Sequence, residues 1–229
     1  MHRILVAALW VLSATHCDTA RPSKAGSLEE PKVNADAQTL QRIEQVDPVH
    51  AGTIKQNLAA TTFTRQPLGF YKRFQLVTVD VRLPHRALRF KYADDGKSAV
   101  NLTPATPEAI YKVNQEEVLT LEAAEVPEYL RFFVENTEGG KRRLVERAED
   151  VQWLPATNTD PTLSAQKADV SQKLHPIKVT ADEEGFEASA LVLVGNQLLA
   201  CDFSVRKSGK VQLAKQQVVA ESLPVPFAR

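Results

Sequence analysis

Residues that announce a chemistry are scarce in this chain. It carries two cysteines, one methionine, nine glycines and five histidines in 229 residues. Two cysteines, Cys17 and Cys201, do not make a disulfide scaffold, so the fold rests on an apolar core. Nine glycines provide no phosphate-cradling glycine loop, and no Gly-x-Ser-x-Gly elbow occurs. Neither sign of charge is in excess, with 28 basic and 28 acidic side chains. That balance speaks against a dedicated nucleic-acid binder and leaves room only for a local patch. Also missing is an apolar run approaching the roughly 20 residues that a bilayer span needs.

What is present begins with residues 1–17. His2 and Arg3 make a short positive start, residues 4–12 are uninterruptedly apolar, and Ser13, Ala14 and Thr15 follow. A secretory signal has that order, so the expectation is export and cleavage, to a periplasmic or extracellular address. Removing residues 1–17 takes away one basic residue, Arg3, and no acid. Ala14-Thr15-His16 before Cys17 resembles in part the small-residue box that precedes the lipidated cysteine of bacterial lipoproteins. His16 departs from that box, and ordinary cleavage with Thr15 and Cys17 at the −3 and −1 positions is the alternative. Cys17 is therefore the lipidation candidate, and through it a membrane tether.

Residues 18–35 have only Leu28 and Val33 as large apolar side chains, which predicts a flexible tether. A short helical segment is expected over residues 36–65. Ala37, Leu40, Ile43 and Val46 recur at helical spacing until Asp47-Pro48, and Ile54 and Leu58 mark a second helix. From residue 70 the period changes to two. Val77, Val79, Val81 and Leu83 alternate with Thr78, Asp80 and Arg82, and Leu88, Phe90 and Tyr92 alternate with Arg89 and Lys91. Further strands are predicted at residues 109–113, 118–121, 129–135 and 143–147. A hairpin turn is read at Glu138-Gly139-Gly140-Lys141, and a long polar loop at residues 155–171. A meander follows at residues 174–180, 186–194, 198–205 and 211–219, punctuated by Asp182-Glu183-Glu184-Gly185, Gly195-Asn196 and Ser208-Gly209. The whole reads as mainly β: an antiparallel sandwich or barrel over residues 70–222, preceded by the helical segment.

The apolar stretch at residues 191–199 is interrupted by Gly195-Asn196-Gln197 and reads as two core strands. After residue 17 the histidines are His50, His85 and His175, with no i, i+4 pair and no cysteine neighbour, so no zinc-ligand spacing exists. Asp94-Asp95-Gly96 and Asp182-Glu183-Glu184-Gly185 read as turns rather than calcium loops. Cys201, in an apolar strand, reads as an inert thiol. Asn101-Leu102-Thr103 matches the glycosylation triplet, with Pro104 behind it. No catalytic, cofactor-binding or metal-ligating set emerges.

One cluster stands out. Arg82, His85, Arg86, Arg89 and Lys91 surround the first hairpin, with Lys72 and Arg73 upstream. Arg82, Arg89 and Lys91 occupy the polar positions of the alternation and are predicted to share a side of the sheet, a surface for phosphate head groups, an acidic glycan or an acidic partner. The competing reading is a solvated face balanced by Glu116, Glu117, Glu122, Glu125 and Glu128 on neighbouring strands. The resulting expectation is a non-catalytic binding or assembly protein of the cell envelope, with a protein or envelope partner and no nucleic acid. The alternatives are a β-barrel carrier of a small apolar ligand, or an exported hydrolase with no visible motif.

Overall fold

The computed structural model describes residues 29–226, and within them the protein is mainly β, with two antiparallel sheets following a helical segment. Residues 1–28, and with them the expected signal and Cys17, lie outside the described residues. Helices α1 (Glu29–Val46) and α2 (Pro48–Gln56) lead into β1 (Thr61–Pro67), β2 (Gln75–Leu83), β3 (Arg86–Asp94) and β4 (Ala99–Asn101), which pair in that order. Residues 29–35 of the expected tether are thus helical. Residues 61–65 of the expected helical segment are strand, because Thr61, Thr62 and Thr64 are β-branched and Phe63 points inward.

The alternation of β2 and β3 does what a half-buried hairpin requires. Val77, Val79 and Val81 are fully buried, and with Phe90 and Tyr92 they pack against Leu40 and Ile43 of α1 and Ala51 and Ile54 of α2. Asp47 starts α2 by accepting from the backbone N–H of His50, with Pro48 in the first turn. Arg42 ties α1 to the sheet through two 2.7 Å bonds to Asp94, whose side chain is fully buried.

The segment after β4 corrects the predicted strands. Residues 107–117 form α3 (Pro107–Glu117) and residues 126–135 form α4 (Val126–Glu135). Each has a proline in its first turn, Pro107 and Pro127, and an acid beside it, Glu108 and Glu128. The aromatic and branched runs read as strands because of their composition. Ile110, Val113 and Asn114 nonetheless share one helical face, as do Tyr129, Phe132 and Phe133. Residues 118–121 are not a strand: Val118 ends α3 in the left-handed region at φ 56°, and Leu119 and Leu121 turn into the core.

The second sheet is built from β5 (Arg142–Leu144), β7 (Gly185–Val194), β8 (Gln197–Arg206) and β9 (Val211–Ala220), paired in that order, with β6 (Lys178–Ala181) also on β7. The expected long loop at residues 155–171 holds a 3₁₀ turn at Pro155–Asn158 and α5 (Pro161–Lys173). Asp160 caps α5, accepting from the N–H groups of Thr162 and Leu163, and Val170 is buried. The stretch at residues 191–199 is the tight β7–β8 hairpin, with Leu191, Val192, Leu198 and Leu199 buried. One core joins α3, α4, the inner side of β7 and β8, and Leu76, Ala93 and Val100 of the first sheet; a second, under α5 and residues 223–225, covers the opposite face of β7 and β8. Both sheets are open, so the barrel alternative does not form among the described residues. Among them no helix is long and apolar enough to cross a membrane.

Candidate functional site

The first hairpin decides where the predicted cations stand. In the β2–β3 register Thr78 faces Lys91, Asp80 faces Arg89 and Arg82 faces Ala87, so Arg82, Arg89 and Lys91 share the sheet face opposite α1 and α2. Arg86 pairs with Leu83 and so has the other parity, on the helix-covered side, where its side chain is exposed. His85 is exposed in the connecting turn.

Arg89 is held by Asp80 across the strands, with Nε to Oδ1 at 2.7 Å and Nη2 to Oδ2 at 3.3 Å. This hydrogen bonding raises the guanidinium pKa further. Arg82, Arg86 and Lys91 form no ion pair among the described residues. The balancing acids predicted nearby are engaged elsewhere. Glu117 meets Arg73 and the backbone N–H of Lys72, Glu116 meets Lys112, Glu128 accepts from the N–H of Gly69, and Glu125 accepts from the N–H of Glu122. Arg73 also pairs with Asp95, so it is taken up at the other end of the hairpin.

Lys91 is half-buried, and its Nζ donates to Oδ1 of Asn136 at 2.7 Å. Asn136 caps α4, its own amide donating to the carbonyl of Phe132. The ammonium therefore stands at the carbonyl end of a helix, where a cation is favoured. Burial lowers the Lys91 pKa, Glu135 raises it back in part, and Arg89 lowers it further. Glu135, in the last turn of α4, is also half-buried, and its carboxyl has no hydrogen-bond or ion-pair partner among the described residues. Burial pushes its pKa up against the pull of Arg131, Arg143 and Lys91.

These groups line one cleft of about 280 Å³, with Arg89, Lys91, Thr103, Glu135, Asn136, Gly139 and Gly140 on its walls. Its backbone is unusual. Ala105 (φ 52°) lines it, Glu138 (φ 50°) adjoins it, and Gly139 and Gly140 follow at φ 71° and 68°. Left-handed non-glycine residues are costly and gather at functional sites. Gly140 also borders a second cleft, of about 240 Å³, lined by Lys141, Arg142 and Arg143. Arg142 is paired with Glu138 at 2.6 Å, whereas Lys141 and Arg143 have no ion pair among the described residues. A basic loop some fifty residues later in sequence thus adjoins the first cleft through Gly140. The signal was Lys141-Arg142-Arg143 directly after two glycines. Glu135 had no local signal.

The remaining candidates are not brought together. His50 gives Nδ1 to Asp47 Oδ2 at 2.6 Å and stacks on Phe90 at 4.3 Å; Tyr92 Oη and Asn101 Nδ2 also donate to Asp47, at 3.0 and 2.8 Å. The amide of the glycosylation triplet is therefore occupied in the folded protein. His175 contacts the carbonyl of Pro176. Cys201 is buried, and burial pushes its thiol up. No group of three or more His, Cys, Asp or Glu is placed to hold a metal among the described residues. A larger groove of about 730 Å³ lies between α1, α2 and β1, but its charged lining is already paired: Asp36 with Arg65 at 2.7 Å and Glu44 with Lys55 at 2.5 Å. Compared with protein-family models, with curated proteins and with solved structures, the chain matches none.

Proposed function

We propose that this is an exported, non-catalytic binding protein that holds an acidic polypeptide segment on its cationic hairpin face. The observation that carries the reading is the set of cations with no ion pair among the described residues, Arg82, Lys91, Lys141 and Arg143, on one sheet face and around two clefts that share Gly140. Arg89 and Lys91 are two residues apart on one strand, about 7 Å by the strand rise, and an extended peptide with acids at alternate positions has the same spacing. Exposed ion pairs contribute about 0.2–1 kcal/mol each, so the affinity is modest and sensitive to salt. Thr103, the hydroxyl in the first cleft, accepts from the N–H of Lys91 and donates to its carbonyl, so its hydrogen bonds are taken up by the strand backbone.

Export, and a tether through Cys17, belong to the same proposal and rest on the sequence of residues 1–28. Mass spectrometry of the mature N-terminus tests them: cleavage near residue 17, with or without lipid on Cys17, supports export, and an intact Met1 end overturns it. For the binding face, Arg82, Arg89 and Lys91 are changed together to Glu. The expected result is loss of a salt-sensitive interaction with a Glu/Asp-rich peptide at low ionic strength. Unchanged binding rules the face out.

A further inference from the structure

Glu135 is out of place in a surface that only attracts anions. It is a half-buried carboxyl with no hydrogen-bond or ion-pair partner among the described residues, attracted at longer range by Arg131, Arg143 and Lys91, in a cleft whose other charged walls are Lys91 and Arg89. No ion pair joins Glu135 to Lys91; the ammonium is held by Asn136 instead. Solvent reaches the Glu135 oxygens, so a ligand that fills the cleft and displaces that water must supply a hydrogen-bond donor in its place. A plain anion supplies no such donor and is repelled by the carboxylate. The cleft, at about 280 Å³, lies at the small end of ligand pockets, so it admits one or two residues of a chain end rather than a folded surface.

We propose that the cleft captures the free N-terminus of the acidic segment, with the α-ammonium against Glu135 and a carboxylate of the next residues against Lys91 and Arg89. Capture of a terminal amine is a recurring mode of peptide recognition. The left-handed backbone at Ala105 and Glu138 shapes the walls that hold it, with the Gly139 N–H directed to the Ala105 carbonyl at 3.5 Å. This inference rests on the acidic-segment reading and adds the end by which the segment is held.

The test compares two C-terminally amidated peptides, Gly-Asp-Gly-Glu-Gly with a free amine and the same peptide acetylated, by calorimetric titration of the wild type and of Glu135→Gln. Acetylation is expected to weaken binding to the wild type by about tenfold or more, and to change little in Glu135→Gln. If both peptides bind the wild type equally, terminal capture is wrong and the acidic-segment reading stands. If the free amine is preferred equally by Glu135→Gln, Glu135 is not its seat and the proposal fails. If neither peptide binds, both readings fall. The acetylation contrast in the wild type needs no variant to fold.

Discussion

Gly209→Ala should be among the most damaging single-methyl additions in the protein. Gly209 sits, buried, in the β8–β9 turn at φ +78°, and a Cβ there would lie 2.5 Å from Asn114 Nδ2, 2.6 Å from Tyr129 Oη and 2.8 Å from Leu119 Cδ2. Two of those neighbours have nowhere to go. Asn114 accepts from Tyr71 Oη at 2.5 Å and donates to Tyr129 Oη at 2.8 Å, and Tyr129 donates to the carbonyl of Gly209 itself. The left-handed conformation costs alanine about 1 kcal/mol. Overpacking adds about 1–3 kcal/mol, and disturbing the buried hydrogen bonds about 1 kcal/mol more. The sum is about 4 kcal/mol. Gly96→Ala is the internal control, with φ +83° and no atom within 4 Å of the added carbon, so it carries the conformational cost alone. Urea unfolding followed by Trp153 fluorescence, together with thermal melting, separates the two. At about 2–4 °C per kcal/mol, Gly96→Ala lowers Tm by a few degrees and Gly209→Ala by roughly 8–16 °C. Equal losses in the two variants would refute the packing argument.

Asp94→Asn leaves Arg42 without its buried carboxylate and should cost about 3–5 kcal/mol; a loss below about 1 kcal/mol in urea unfolding contradicts the ion pair's role in holding α1 to the sheet. Asp47→Ala removes the acceptor shared by His50, Tyr92 and Asn101 and should cost about 2–4 kcal/mol, seen as early loss of helical circular dichroism. The raised pKa of Glu135 means that the folded state binds a proton the unfolded state has released, once the pH passes the ordinary carboxyl value of 4.5. Stability therefore falls as pH rises from there through the folded-state pKa. Glu135→Gln should flatten that decline, and an unchanged slope in denaturation at several pH values would count against the burial of this acid.

The β2–β3 hairpin and the β7–β8–β9 meander were legible because one wet and one dry face leave a period of two in the residues themselves. Asp47-Pro48 marked the end of α1 for an equally local reason. Helices α3, α4 and α5 were not read, although each carries a proline in its first turn. In α3 and α4 the aromatic and branched side chains have strand-like composition, and the three-and-four spacing of Ile110, Val113 and Asn114 is short. The surrounding core, not propensity, decides such segments. The site divides in the same way. Arg82, Arg89 and Lys91 follow from strand parity, whereas Glu135, Asn136 and Gly139 line the cleft beside Lys91 only because α4 ends against β3. That juxtaposition is tertiary and leaves no trace in local spacing.

The most direct test of the central claim is a map of backbone amide shifts as an acidic peptide with a free amine is titrated into the protein at low salt. The account predicts shifts that saturate at residues 89–91, 103–105 and 135–143, fade as salt is added, and vanish when Arg82, Arg89 and Lys91 are Glu. Shifts confined to the β9 edge or to the groove between α1 and β1, with residues 89–91 and 135–143 unmoved, would contradict it.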